Sequence, residues 1–335
     1  MTPEFITNND KLITEVNGFI AEWQSSSLII AVKTSGSTGT PKLIELRKSN
    51  MVSSAQMTGR FFDLKKGESI LLNMSPKTIG GIMIIVRAIV LDLKLIVVDV
   101  TSTPLIQIKN KVDIVSMVPM QLKASIETSP DKFDLIRTLI IGGGVISNTL
   151  ENQIKNLKCD IYHTFGMTET ISHIALRDLK SDNSYFQTLN EVNIETENDC
   201  LVISAAALGI NRLVTNDIVE LKSKTSFKWL GRSDFAINSG GIKIIPSIIE
   251  RRLSTLIHAN LFSFGLPDMK LGQRHILVIE STSDLKLKKS DFNILDNYMT
   301  PKEIYYLDKF SYTQSGKINK LLTIESLGNA KKQVL

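Results

Sequence analysis

Between residues 69 and 164, short apolar runs rich in β-favouring residues alternate with stretches of helical character. The runs are Ser69-Ile-Leu-Leu-Asn73, residues 93–98, Asp113-Ile-Val-Ser-Met-Val118, Thr138-Leu-Ile-Ile141 and residues 160–164. A run that is apolar throughout, rather than alternating with polar residues, predicts a strand covered on both faces. Strands that alternate with helices predict a parallel sheet with helices packed on either side. Residues 80–91 are apolar almost all round, which predicts a buried helix. Upstream, residues 28–33 and 43–46 predict the two strands of a hairpin, and residues 49–62 a helix with Ser49 or Asn50 as its N-cap.

Past about residue 185 the runs shorten. Residues 200–204, 213–215 and 218–221 predict a small β-rich subdomain. From Phe235 onward a helix over 246–257, strands over 261–265 and 275–280, and a Lys-rich end predict a compact α+β unit. At roughly 150 residues per domain, 335 residues suit two domains. The expected fold is α/β. A large N-terminal domain, residues 1–233, holds a mostly parallel sheet flanked by helices plus the small β subdomain. A small α+β C-terminal domain spans residues 234–335.

Composition removes several classes of function. Hydrophobic residues make up 43% and charged residues 22%, which excludes a disordered chain, a collagen-like fibre and a coiled coil. The net charge of +5 is spread without blocks of like charge, and the 6% of aromatic residues do not interleave with basic runs, so no nucleic-acid partner is expected. Cys159 and Cys200 form no CxxC pair, and the four histidines show no metal-ligand spacing, so no structural zinc is expected. The most apolar stretch, residues 79–100, is broken by Arg87, Asp92 and Lys94 and falls short of a membrane span. The opening residues lack a basic stretch followed by an apolar one, so no secretory signal is expected and the cytoplasm is the expected compartment.

The segment Thr34-Ser-Gly-Ser-Thr-Gly-Thr-Pro-Lys42 leaves the first hairpin strand with two glycines, hydroxyl side chains and a lysine. Glycines let backbone N–H groups approach an anion, hydroxyls donate further hydrogen bonds, and lysine adds charge. Thr34, Ser35, Gly36, Ser37, Thr38, Gly39 and Lys42 therefore form a candidate phosphate loop, though not a Walker A loop, since Leu43 follows the lysine. Two further loops, Gly142-Gly143-Gly144 and Phe165-Gly166-Met-Thr168-Glu169, stand at the ends of neighbouring predicted strands. In open α/β sheets that is where a ligand crevice forms.

The phosphate loop resembles that of the adenylate-forming, AMP-binding superfamily, which includes acyl-CoA synthetases, nonribosomal peptide adenylation domains and luciferases. Further signatures follow in the family's order, so that the resemblance covers residues 34–318. Phe165-Gly-Met-Thr-Glu169 looks like its aromatic-Gly-x-Thr-Glu loop, and Thr215-Asn-Asp217 like its Thr-Gly-Asp. Gly231-Arg-Ser-Asp234 resembles its hinge segment, and Ser315-Gly-Lys-Ile318 its C-terminal Gly-Lys motif. The resemblance implies an enzyme that makes an acyl-AMP from ATP and a small-molecule carboxylic acid, then passes the acyl group to a thiol such as CoA. Carboxylate attack on the α-phosphate joins two anions, so charge must be neutralised and the groups held in line. The resemblance implies that Glu169 holds Mg²⁺, Thr168 contacts phosphate and Lys317 reaches the α-phosphate. It places Phe165 on adenine with Gly166 in the same nucleotide site, Gly142, Gly143 and Gly144 close against adenine or the acyl group, Asp217 on the ribose hydroxyls and Arg232 on ribose or phosphate. Asp234 matches the hinge of a mobile C-terminal domain, and Gly240 and Gly241 would line the CoA tunnel. Phe310-Ser-Tyr-Thr-Gln-Ser315 departs from the family by lacking its usual proline.

Typical members place well over a hundred residues before the phosphate loop, and here it begins at Thr34, so most of the first subdomain is expected to be missing. In this the chain looks like the short bacterial o-succinylbenzoate–CoA ligases of menaquinone biosynthesis. Pro76-Lys-Thr-Ile-Gly-Gly-Ile-Met-Ile-Ile-Val-Arg87 resembles their segment in which a glycine turn leads into an arginine-bearing helix. An arginine on an apolar helix needs a partner, and the second carboxylate of o-succinylbenzoate would supply one. Arg87 is thus the principal substrate candidate, with Lys77, Gly80, Gly81, His163 and Ser172 beside it. Three alternatives stay open: a ligase for another aryl or acyl acid, one that loads a carrier protein, and a non-catalytic nucleotide-binding regulator. A homodimer covering the face left by the short N-terminus is a further expectation.

Overall fold

The computed structural model describes residues 1–33, 42–312 and 318–335. The chain opens with β1 (Glu4–Phe5), helix α1 (Asp10–Gln24), the hairpin β2 (Ile29–Lys33) and β3 (Leu43–Arg47), and α2 (Lys48–Phe61). Then follow β4 (Ser69–Leu72), α3 (Ile79–Val90), β5 (Lys94–Val97), β6 (Val112–Met117), α4 (Pro119–Thr128), β7 (Ile136–Ile141), α5 (Asn148–Ile154) and β8 (Asp160–Gly166). From there the chain is almost all strand: β9 (His173–Asp178), β10 (Phe186–Thr188), β11 (Asn193–Glu197), β12 (Cys200–Ala205), β13 (Ile210–Ser223) and β14 (Ser226–Arg232).

Among the described residues these strands, the β2–β3 hairpin apart, make one 12-stranded sheet in the order β1-β5-β4-β6-β7-β8-β9-β10-β14-β13-β12-β11. The half from β1 to β8 is parallel, and every pairing from β8–β9 onward is antiparallel. Both faces of the parallel half are covered. Ile70 and Leu72 pack with α1, α2 and α3, while Leu71 between them packs with α4 and α5 on the other side. Period-2 alternation therefore points every residue of these strands into one apolar layer or the other, which is why the runs are continuously apolar.

Helix α3 lies within the first of these layers, and its residues Ile82 to Val86 are at most 4% exposed. Burying each such side chain contributes about 1.5–3 kcal/mol. Thr78 caps the helix by accepting from Gly81 N–H at 3.4 Å. A Cβ at Gly81 would lie 2.1 Å from the Ser75 carbonyl, so only glycine lets the chain turn so closely into the helix.

Two expectations change. Helix α2 starts at Lys48 with Arg47 at the N-cap, so Ser49 and Asn50 lie inside its first turn. The Lys48 ammonium reaches back to the carbonyls of Glu22, Trp23 and Ser25 at 2.8–3.0 Å, where it complements the negative end of α1. Asn50 instead donates to the Leu208 carbonyl at 3.0 Å. Residues 213–215 and 218–221 are not two strands but parts of β13, whose Asn216-Asp217 step falls in a shift of register against β12, between the Val202–Val214 and Cys200–Ile218 pairs.

The chain leaves the first sheet through a short turn, Ser233–Phe235. It then builds β15 (Ile237–Ser239), β16 (Ile242–Ile244), α6 (Pro246–Leu253), β17 (Leu261–Asp268), β18 (Gly272–Glu280), β19 (Glu303–Leu307), α7 (Lys320–Glu325) and β20 (Lys331–Val334). The sheet here runs β16-β15-β18-β19-β20, with β17 paired to β18, around its own cores. This unit touches the first sheet where Gly231 meets Ile245 and Ser247, and touches α5 where Asn148 donates to the Arg251 carbonyl at 3.1 Å. No helix among the described residues is long and apolar enough to cross a membrane.

Candidate active site

The loop between β8 and β9 organises the site. Gly166 is its first residue to need explanation. A Cβ there would lie 2.2 Å from the Ser172 carbonyl, so the chain can fold back on itself only at a glycine. Thr168–Thr170 forms a single 3₁₀ turn, and the Thr170 hydroxyl bonds within it, to Met167 N–H at 2.9 Å and to the Ser172 carbonyl at 2.7 Å. Ile171 is held at φ +68°, which is strained for a β-branched residue. These constraints point Glu169 outward and Ser172 inward. Glu169 is exposed and joins no ion pair among the described residues, while Ser172 is half-buried.

Ser172 meets Arg87. The guanidinium is 4% exposed; its Nη2 donates to Ser172 Oγ at 2.6 Å and its Nε to Thr58 Oγ1 at 3.2 Å. Thr58 lies fully buried on α2 and is also 3.1 Å from His173 Nε2. No carboxylate pairs with Arg87 among the described residues. Burial alone pulls its pKa down to about 10, so it stays charged at neutral pH. Burial, reinforced by the charge of Arg87, holds His173 well below its ordinary range and therefore neutral. The cluster is a buried cation surrounded by neutral groups.

A second cluster sits on the antiparallel half. Asp217 on β13 is paired in register with Arg232 on β14. Its carboxylate accepts from Trp229 Nε1 at 2.8 Å, and burial raises its pKa. Arg232 forks onto Asp234 through Nε at 3.0 Å and Nη2 at 2.7 Å. That bond, together with the charges of Asp217, Asp234 and Glu169, raises the Arg232 pKa. One guanidinium thus lies within electrostatic reach of the predicted ribose, hinge and metal carboxylates.

The remaining candidates are spread over the molecule. Gly142 leaves β7 with its N–H bonded to the Met117 carbonyl at 2.9 Å; a Cβ there would strike Thr164 Oγ1 at 2.6 Å, and Gly143 takes φ +76°. His163 Nε2 lies 3.1 Å from the Gly144 carbonyl and its ring tilts onto Phe186, so it supports this loop and is not part of the Arg87 cluster. Burial lowers its pKa to about 3. Phe165 is half-buried, edge-on to Phe227 at 5.0 Å and Phe186 at 6.0 Å. Gly80 and Gly81 lie in the first turn of α3, after Ile79. Lys77 is set apart: it is exposed and pairs with Glu15 of α1 at 2.9 Å. Gly240 and Gly241 make the exposed β15–β16 turn at φ +60° and +80°. The phosphate-loop residues Thr34, Ser35, Gly36, Ser37, Thr38 and Gly39, and Lys317, lie outside the described residues. Lys42, at the loop's exit, is exposed.

Sequence reasoning missed Thr58, His173 and Trp229. Thr58 is one hydroxyl in a helix that also carries Ser53 and Ser54, and nothing local distinguishes it. Among the described residues no three His, Cys, Asp or Glu side chains cluster to cage a metal. A single unencumbered carboxylate at Glu169 suits Mg²⁺, which binds through one carboxylate together with substrate phosphates and water.

The profile of the AMP-binding enzyme family matches residues 8–194. The 2-succinylbenzoate–CoA ligase of Staphylococcus epidermidis is 25% identical over 342 residues, with 91% of this chain and 71% of that protein covered. The enzyme of the same name from Listeria monocytogenes is 25% identical over 336 residues, covering 91% and 72%. Among solved structures, an acyl-CoA synthetase (AMP-forming)/AMP-acid ligase II-like protein from Dyadobacter fermentans is 33% identical, covers 95% of both chains and superposes with a TM-score of 0.64. The o-succinylbenzoate CoA synthetase of Bacillus subtilis, in complex with its acyl-adenylate intermediate, shares the fold at a TM-score of 0.75 and 20% identity, covering 91% of this chain and 70% of that one.

Proposed function

The chain belongs to the AMP-binding enzyme family of adenylate-forming ligases, and from that premise we propose that it converts o-succinylbenzoate to its acyl-adenylate with ATP and then to a CoA thioester. The observation that carries the choice of acid is Arg87, a buried guanidinium with hydroxyl partners and no carboxylate among the described residues, bonded to Ser172 three positions after Glu169 on the same loop. A buried cation without a counter-charge is unfavourable, and a substrate with two carboxylates would supply one while presenting the other for reaction. The resemblance to ligases named for this acid points the same way.

In the first half-reaction a carboxylate oxygen of the acid attacks the α-phosphorus of ATP, and the bond to pyrophosphate breaks. Glu169 would hold Mg²⁺, which when bound neutralises phosphate charge. The phosphate loop and Thr168 would hold the phosphates, Asp217 the ribose hydroxyls, and Lys317 the oxygens between which charge builds. In the second half-reaction the CoA sulfur attacks the acyl carbonyl and AMP leaves. The unit after Asp234 would rotate between the two steps, bringing the Gly240-Gly241 turn to the thiol; a hinge needs few residues able to change backbone angles.

Pyrophosphate release from the purified protein with ATP and Mg²⁺ tests this against o-succinylbenzoate, benzoate, medium-chain fatty acids and amino acids. Release with o-succinylbenzoate at a kcat/KM at least tenfold above every other acid, with a CoA thioester formed on adding CoA, is expected. Equal or faster release with a monocarboxylic acid would overturn the choice of substrate.

A further inference from the structure

This inference rests on the reading of Arg87 as the anchor of a second carboxylate. A charged anchor selects only if its direction is set, because a guanidinium free to rotate can turn toward any acceptor. Among the described residues no ion pair aims Arg87. Its Nε and Nη2 are each held by a hydroxyl, from Thr58 and Ser172, on two different elements. Two bonds from two elements define the plane of the fork, and because both partners are neutral the full positive charge remains for a ligand.

Thr58 Oγ1 is the hub of this arrangement. Among the described residues three groups lie within hydrogen-bond distance of it: Arg87 Nε at 3.2 Å, His173 Nε2 at 3.1 Å and the Ser54 carbonyl at 3.1 Å. A hydroxyl offers one proton and two lone pairs. Arg87 Nε–H can only donate, so it takes one lone pair. One arrangement satisfies all three contacts with each group in a single role: Thr58 donates to Ser54, and His173 donates from Nε2–H into the second lone pair. A neutral Nε2–H imidazole thus keeps the Thr58 proton turned toward Ser54 and a lone pair turned toward Arg87. The Ser172 and His173 contacts come from consecutive residues at the start of β9, directly after the strained Ile171, so the loop that carries Glu169 also delivers both.

We infer that Thr58 and His173 are positioning residues that aim Arg87, and through it determine the preference for acids that carry a second carboxylate, while leaving nucleotide handling untouched. Thr58→Val removes the hydroxyl at constant shape, and Thr58→Ser retains it; His173→Leu removes the donor, and His173→Gln retains an N–H.

Pyrophosphate release with o-succinylbenzoate and with benzoate, at varied ATP, reads the effect. Loss of a hydrogen bond to a charged group corresponds to about a ten- to hundredfold change. Thr58→Val and His173→Leu should raise the KM for o-succinylbenzoate by that factor and lower the o-succinylbenzoate-to-benzoate ratio of kcat/KM at least tenfold. The KM for ATP should stay within twofold, and Thr58→Ser and His173→Gln should keep the ratio within about threefold of the parent. A ratio unchanged in Thr58→Val, or a KM for ATP that moves as far as that for the acid, overturns the inference and leaves a merely structural network. Should the apolar variants not fold, ¹⁵N NMR of the parent protein decides: the His173 proton on Nε2 is required, and a proton on Nδ1 overturns the inference. Wild-type protein that turns over no acid with a second carboxylate would remove the reading of Arg87 itself, a result distinct from turnover with an unchanged ratio.

Discussion

Arg87 and Arg232 stand at opposite ends of one loop in opposite surroundings. Arg87 bonds to Ser172 at the loop's end, is buried, and among the described residues has only neutral partners. Arg232 senses Glu169 at the loop's start, is partly exposed, and is surrounded by carboxylates. The consequences run in opposite directions: Arg87 has its pKa pulled down to about 10, and Arg232 has its pushed up. Among the described residues the protein supplies carboxylates to one cation and only hydroxyls to the other. A cation already held by carboxylates can exchange partners at little cost, which suits a group beside a hinge. A buried cation without one destabilises the fold until an anion arrives, which suits a substrate anchor.

The largest expected effect breaks this contrast at its buried end. Arg87→Met should lower kcat/KM for o-succinylbenzoate by about 10²–10³-fold, the order of losing one partner of a close charge pair. The same substitution should make the unliganded protein more stable, by about 1–4 kcal/mol, because an apolar side chain replaces an uncompensated charge. Urea unfolding and steady-state kinetics on one variant measure both. A fall in stability together with retained activity would make Arg87 structural.

An intermediate effect concerns protons. His163 and His275 are held neutral by burial, at pKa values of about 3 and 4, and His173 lies well below its usual range through burial and the Arg87 charge. Unfolded, each binds a proton near pH 6.5. Below that pH the unfolded state holds more protons than the folded one, so stability is full above pH 6.5 and falls as the pH drops toward 4. The slope is about 1.4 kcal/mol per pH unit for each histidine. Chemical denaturation between pH 7 and 4.5 should show it, and the slope should be shallower in Arg87→Met, where no guanidinium opposes protonation of His173. A flat profile would contradict neutral, buried histidines.

The smallest effect lies at the exposed end. The Arg232–Asp234 pair is 38% and 28% exposed at its side chains, and such pairs contribute about 0–1 kcal/mol. Asp234→Asn should therefore shift unfolding by less than about 1 kcal/mol in urea melts. A loss of several kcal/mol would mean that the pair holds the fold together, and the comparison with Arg87 would lose its meaning.

Much of the architecture was legible along the chain. The apolar runs at 69–73, 113–118 and 138–141 correspond to β4, β6 and β7, because a strand covered on both faces must be apolar at every position. The helix at 80–91 was legible for the same reason, as was Arg87 as the exception within it. Helix ends and strand continuity were less so. The N-terminus of α2 is set by Lys48 reaching α1, a contact across 23 to 26 residues of sequence. The strand β13 runs through Asn216-Asp217 because β14 supplies Arg232 opposite.

By itself the sequence determined the strands of the parallel half and the buried helix between them, where glycines permit close turns, and that a charged side chain sits on an apolar helix. These are local properties of period and residue type. What only the tertiary structure decided is who meets that charge. Thr58, Arg87 and His173 come from α2, α3 and β9, up to 115 residues apart, and their bonds depend on how two helices pack against one loop. A hydrogen bond is decided within a few tenths of an ångström, and no pattern along one chain carries distances of that kind.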